Sequence, residues 1–217
     1  MKNTNHRMQK WTGGFAVLLA AALITGCSSH DNNSDDTDTT DQPVATPATP
    51  ARAPAPAPQA PAPPAAVTPP VRIKAGATEK LTDSAGNVWL PDQGFADGQT
   101  YAVTNAVISN TANQAIYRSE RYSMTAYRFL VPNGKYTVKL QFAEVYTGIT
   151  GPGGRVFSFN VQGHEFKDFD IWVKAGGSGK AYAQSVDVEV TDGKLNITFT
   201  PKVENPKVCG IEILPKN

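Results

Sequence analysis

The chain has 217 residues with 20 Lys and Arg against 19 Asp and Glu, a formal charge of +1, and no basic block of the kind a nucleic-acid partner requires. Two cysteines cannot build a disulfide scaffold. The histidines His6, His30 and His164 are scattered, so no clustered spacing suggests zinc, no acid-rich loop suggests calcium, and no cofactor is expected.

In chain order, Lys2, Arg7 and Lys10 make a basic start, and Phe15 to Ile24 is an apolar run too short to span a bilayer. Leu23-Ile24-Thr25-Gly26-Cys27 follows, with an abrupt turn to polar residues. This segment resembles a bacterial lipoprotein signal. The resemblance implies that residues 1–26 are removed and that Cys27 becomes the acylated, palmitate-bearing N-terminus. With Ser28 next rather than an aspartate, it also implies the outer membrane of the cell envelope. Several acyl chains on one residue anchor stably where one holds only marginally. A cleaved secretory peptide, or an N-terminal anchor with an incidental cysteine, is the alternative.

Residues 27–70 contain nothing that can form a core. Asp31 to Asp41 is acidic and polar, and Pro43 to Pro70 alternates proline with alanine, as in Ala53-Pro54-Ala55-Pro56-Ala57-Pro58. Proline fixes φ and removes a donor, so an extended spacer is expected, reaching on the order of 100 Å at about 3.1 Å per residue. A proline-rich ligand for a partner would need charged or aromatic anchors that this stretch mostly lacks.

Residues 71–217 amount to one domain and are predicted to be all-β, a two-sheet antiparallel sandwich of jelly-roll type. Tyr136, Val138, Leu140 and Phe142 alternate with Thr137, Lys139 and Gln141, the pattern of a half-buried strand. Phe157, Phe159 and Val161 repeat it. Val186, Val188 and Val190 lead through Asp192-Gly193 to Leu195, Ile197 and Phe199, which predicts a hairpin. Pro132-Asn133-Gly134 and Gln162-Gly163 mark two further turns. Cys209, Ile211 and Ile213 share a face of the last strand, so Cys209 is expected to be a buried, inert thiol. Trp89 and Trp172 lie within apolar runs and are expected in the core. Gly151-Pro152-Gly153-Gly154 and Ala175-Gly176-Gly177-Ser178-Gly179 precede no helix, so they are loops rather than phosphate cradles.

Three segments carry chemistry: Tyr117-Arg118-Ser119-Glu120-Arg121-Tyr122, Phe142-Ala143-Glu144-Val145-Tyr146 and Glu204-Asn205-Pro206-Lys207-Val208-Cys209. A sugar offers an apolar C–H face and a belt of hydroxyls, so its receptor needs flat aromatic surface and a few fixed polar groups. Together the segments resemble the malectin family over Ile73 to Leu214. That resemblance implies a β-sandwich that holds a small glucan in a tyrosine-lined groove closed by an acidic residue. It assigns Tyr122 and Tyr146 to groove tyrosines, Tyr101 to the first of them, and Glu204 to a position where the family has an aspartate. The chain departs from the pattern at Thr147, where the family has a second aromatic, and at Lys202 and Val203, where it has tyrosines. Arg118, Glu120, Arg121 and Glu144 are expected to be ion pairs or loop supports.

Three functions follow. The first is a lipid-anchored module whose partners are an oligosaccharide and, through Cys27, a membrane. The second is a protein-interaction or envelope-structural sandwich without sugar binding. The third is a glycosidase, which would need two of Glu120, Glu144, Asp168, Asp170 and Glu204 to face each other across a bond at about 5 to 9 Å. No further catalytic signature favours an enzyme.

Overall fold

The computed structural model describes residues 63–216. The expected signal, Cys27 and most of the proline-rich stretch lie outside the described residues. Among these residues the elements run β1 (Ala65–Ala66), β2 (Val71–Lys74), β3 (Leu81–Thr82), β4 (Val88–Trp89), β5 (Gln99–Ala102), β6 (Ser119–Tyr122), β7 (Ala126–Leu130), β8 (Gly134–Phe142), β9 (Val156–Val161) and β10 (His164–Phe169). The helix α1 (Ile171–Ala175) follows, then β11 (Tyr182–Val190), β12 (Lys194–Val203), β13 (Lys207–Val208) and β14 (Gly210–Pro215).

A five-stranded sheet, β1-β7-β12-β9-β10, and a four-stranded sheet, β11-β8-β14-β2, supply the two faces of one core. Their pairings are antiparallel except for the short β1–β7 contact. The predicted inward residues meet there: Val138, Leu140, Phe142, Val188, Ile211 and Ile213 from one sheet, Phe157, Phe159, Val161, Leu195, Ile197 and Phe199 from the other. Phe142 reaches across to Phe157, Phe159 and Phe169 with ring centroids 6.2, 5.8 and 4.9 Å apart. Two-residue alternation puts Phe142, Phe157 and Phe159 on the inner faces, an irregularity in β10 between Phe166 and Phe169 turns Phe169 inward, and burial of such a side chain contributes roughly 1.5 to 3 kcal/mol.

The Asp192-Gly193 turn is not a hairpin. β11 pairs with β8 in one sheet, while β12 pairs with β7 and β9 in the other. The chain crosses the sandwich edge here, and Pro132-Asn133-Gly134 makes a second crossing beside it. The Asn133 carboxamide joins the two, donating to Thr191 O at 2.8 Å and accepting from Gly193 N at 2.7 Å. Gln162-Gly163 does close a hairpin, between β9 and β10. At the N-terminal end, Ala65 and Val67 pack on the core and Val67 N donates to Leu130 O, so the fold begins before the expected boundary at Val71.

A second apolar cluster of Trp89, Ile108, Ile116, Tyr117, Ala143, Val145, Ala181 and Cys209 covers one end of the four-stranded sheet. There β8 is buried on both faces, and Gln141 accepts from Tyr117 Oη at 2.8 Å and donates to Glu212 at 2.8 Å. Trp89 is core as expected, with its indole N–H on Asp83. Trp172 is not: it is half-exposed on α1, which buries Ile171 and Ala175 instead. Cys209 is fully buried, and burial pushes its thiol up, as an inert cysteine requires.

Candidate functional site

A small third sheet, β13-β6-β5, builds the floor of a cleft at the edge of the second cluster. Register does the positioning. Tyr101 stands opposite Glu120, and Tyr122 stands opposite Gln99 on one side and Lys207 on the other, so all five share one face of the sheet. Tyr122 Oη donates to Gln99 Oε1 at 2.8 Å. Arg121 alternates to the opposite face, where it pairs with Asp92 at 2.7 Å and lies 3.4 Å from the centre of the Phe95 ring. Asp92 also accepts from Tyr127 Oη and from Gly76 N, which ties the small sheet to the five-stranded one. Gly76 has φ +72°, and a Cβ there would stand 2.4 Å from Glu120 O, so the strand can approach only a glycine.

Two connections complete the walls. The segment between β8 and β9 brings Tyr146 and, just before β9, Arg155; the turn between β12 and β13 brings Glu204 and Asn205. The result is a cleft of about 240 Å³ lined by Tyr101, Glu120, Tyr122, Tyr146, Arg155, Glu204 and Asn205. That is below the roughly 300 to 1,000 Å³ of pockets that enclose whole drug-sized ligands, so an occupant is held only in part. The rings of Tyr101 and Tyr146 meet edge to face, 6.2 Å apart at 87°. Tyr101 packs back on the second cluster, whereas Tyr146 is 43% exposed. Glu204 holds φ +57°, a left-handed conformation that costs a non-glycine residue on the order of 1 kcal/mol. The turn is pinned on both sides: Arg155 Nη1 donates to Asn205 O, and Ser123 N donates to Pro206 O.

Beneath the cleft runs a chain of buried charges. Arg155 Nε donates to Glu144 Oε2 at 2.8 Å, Glu144 Oε1 lies 3.6 Å from Lys207 Nζ, and Lys207 in turn contacts Glu120. Lys207 is 0% exposed, and none of the other three members of the series, Glu120, Glu144 and Arg155, is more than slightly exposed. Burial, the largest single influence on Lys207, works against its charge; the surrounding negative charge, Glu120 and Glu144 included, outweighs it and holds the ammonium above its usual range. Burial raises the Glu120 carboxyl, with the Lys207 charge opposing it. Glu144 also accepts from Tyr146 N at 3.1 Å, so the same carboxylate sets the start of the tyrosine wall.

All four residues predicted to contact ligand, Tyr101, Tyr122, Tyr146 and Glu204, therefore line one cleft. Arg118, Arg121 and Glu144 are the supports expected of them: Arg118 donates to Ala106 O and Gln114. Glu120 does both jobs, ion-paired to Lys207 and lining the cleft. Sequence reasoning missed Arg155 and the role of Lys207. Lys207 lies within the third segment, and Glu120 follows from its two-residue offset to Tyr122, whereas Arg155 carries no local signal. At the divergent positions, Lys202 turns to Asp168 at 2.6 Å and Val203 is exposed, so neither lines the cleft.

The family model described as Malectin domain matches residues 70–211. Malectin of Homo sapiens is 33% identical over 124 residues, covering 49% of this chain and 41% of that protein. An LRR receptor-like serine/threonine-protein kinase of Arabidopsis thaliana is 31% identical over 162 residues, 65% of this chain and 15% of the kinase. The chain thus spans less than half the length of these relatives. Among solved structures, a Bacteroides uniformis beta-glucuronidase superposes with TM-score 0.62 at 19% identity, covering 68% of this chain and 18% of the enzyme. The ANX1 ectodomain of Arabidopsis thaliana gives 0.58 at 18% identity, covering 66% and 47%. These two likenesses are of fold alone.

Proposed function

The chain belongs to the malectin family, whose fold is that of a carbohydrate-binding module, and on that premise we propose that this domain binds a short oligosaccharide without cleaving it. The observation that carries the reading is the convergence of Tyr101 from β5, Tyr122 from β6, and Tyr146 and Glu204 from two separate connections on one cleft of about 240 Å³. Tyrosine rings offer apolar surface to sugar C–H faces, and an ionised carboxylate accepts charge-assisted bonds from neighbouring hydroxyls. The cleft's partial enclosure suits a chain end or a short segment. A glycan array with the purified protein tests this: binding to a defined set of oligosaccharides, lost in Tyr122→Ala, supports it, and no binding to any glycan sinks it. Absence of reducing-sugar release from a bound glycan separates a module from a glycosidase.

The proposal extends to the anchor. Cys27 is acylated and the domain is held at the outer membrane, so Cys27→Ala should abolish acyl-label incorporation and shift the protein out of the membrane fraction. Unchanged labelling in that variant overturns this part. The alternative of a structural sandwich without sugar binding draws its support from Thr147, Lys202 and Val203, which stand where the family pattern has aromatic residues.

A further inference from the structure

The charges around the cleft do not cancel. Beneath it, Arg155 is matched by Glu144 and Lys207 by Glu120, and all four are buried. Outside that balanced set stands Glu204, which lines the cleft, is exposed, and has no ion pair or hydrogen bond among the described residues. The cation nearest to it in sequence, Lys202, is engaged with Asp168. A ligand entering the cleft therefore meets one uncompensated carboxylate and no free cation from the lining residues.

The aromatic geometry points the same way. A sugar ring alone is served by one flat platform, but Tyr101 and Tyr146 stand at 87° with centroids 6.2 Å apart, and Tyr122 adds a third tyrosine to the lining. Rings set at right angles make a corner rather than a platform. The face of an aromatic ring carries the negative end of its quadrupole, so a corner of tyrosines beside a carboxylate suits a compact cation.

Resting on the oligosaccharide reading above, we infer that the cleft selects by charge: it prefers sugars bearing a protonated amine, such as de-N-acetylated hexosamines, and disfavours sugars bearing an acid. An ammonium on the ring gains Glu204 as a partner and the tyrosine corner as a surround, while a carboxylate gains neither and is repelled. Because Glu204 is exposed, solvent weakens the ionic part, and the preference for the amine over the neutral sugar is expected to be about fivefold.

The test uses methyl glycosides of glucosamine, glucose and glucuronic acid, each as both anomers, titrated against the protein by ligand-observed NMR below the pKa of the sugar amine. The expected order is glucosamine over glucose over glucuronic acid. The spread should narrow to about twofold in Glu204→Gln, and narrow likewise with added salt. Glucuronide binding as well as the glucoside, or glucosamine and glucose binding alike, overturns the charge selection and leaves the sugar site standing. A charge preference that persists unchanged in Glu204→Gln also overturns it, because the discriminating group then lies elsewhere. If no glycoside binds and the array is blank as well, the sugar site itself falls and this inference with it.

Discussion

Gly148 should control the tyrosine wall of the cleft without touching the core. A Cβ added at this position would lie 2.5 Å from Tyr146 Cε1 and 2.8 Å from its Cζ. Carbon contacts settle at about 3.5 to 4 Å, so in Gly148→Ala the Tyr146 ring has to retreat by about 1 Å. The ring is 43% exposed and free to move outward, and Gly148 is not among the glycines with positive φ, so alanine fits its backbone. Fold stability should therefore change by no more than about 0.5 kcal/mol. The displaced ring leaves the position from which it lines the cleft beside Tyr101, and losing about 1 kcal/mol of its contact with a bound glycan should raise Kd by about fivefold. Titration calorimetry on an array-identified glycan, beside thermal melts, measures both quantities. Unchanged affinity in a folded variant would refute the role of the Tyr146 ring; a loss of stability as large as that of a core truncation would show that Gly148 and Tyr146 belong to the core.

Tyr122→Ala should weaken glycan binding by about 1 to 3 kcal/mol while leaving the melt nearly unchanged, in contrast to Phe159→Ala, which should cost about 3 to 5 kcal/mol of stability; calorimetry and melts that fail to separate the two variants count against the cleft. Glu144→Gln breaks the buried ion chain between Arg155 and Lys207 and should cost about 3 kcal/mol in denaturant unfolding, with much of the loss recovered when Arg155→Gln removes the stranded charge. Lys74 is 3% exposed, its ammonium bonds among the described residues only to Ala75 O and to the Ser119 carbonyl and hydroxyl, and burial pushes it down to about 8. Between that pH and the ordinary lysine value of 10.5 the unfolded chain binds the extra proton, so this residue makes stability rise with pH across that window, by on the order of 3 kcal/mol. Subtracting the curve of Lys74→Met cancels the opposing contribution of Tyr117 and, apart from its coupling to Lys74, that of Cys209, whose pKa values burial raises, and a flat difference curve would show that Lys74 is not desolvated.

What the sequence determined by itself is what depends on near neighbours. Alternation with a period of two put Phe157, Phe159 and Val161 inward, and Val138, Leu140 and Phe142 likewise, because successive side chains of a strand point to opposite faces whatever the partner. The same rule made Glu120 and Tyr122 companions once Tyr122 was placed in the groove. Tyr122, Tyr146 and Glu204 were legible because short runs of neighbours mark them, whereas no such run marks Tyr101. Strand partnership was not, since Asp192-Gly193 has the chemistry of a tight turn either way. Only the shared core decides that β11 joins β8 while β12 joins β7 and β9, so that Val190 and Leu195 are buried from opposite sheets. The charge chain was decided at the same level. Glu144 is expected in an ion pair from the sequence, but its partners Lys207 and Arg155 are unremarkable in a linear reading, and a lysine with no exposure is tolerable only where folding brings carboxylates from β6 and from just past the end of β8 to meet it. The energy of a charge in a low dielectric is set by atoms that sequence distance does not bring together.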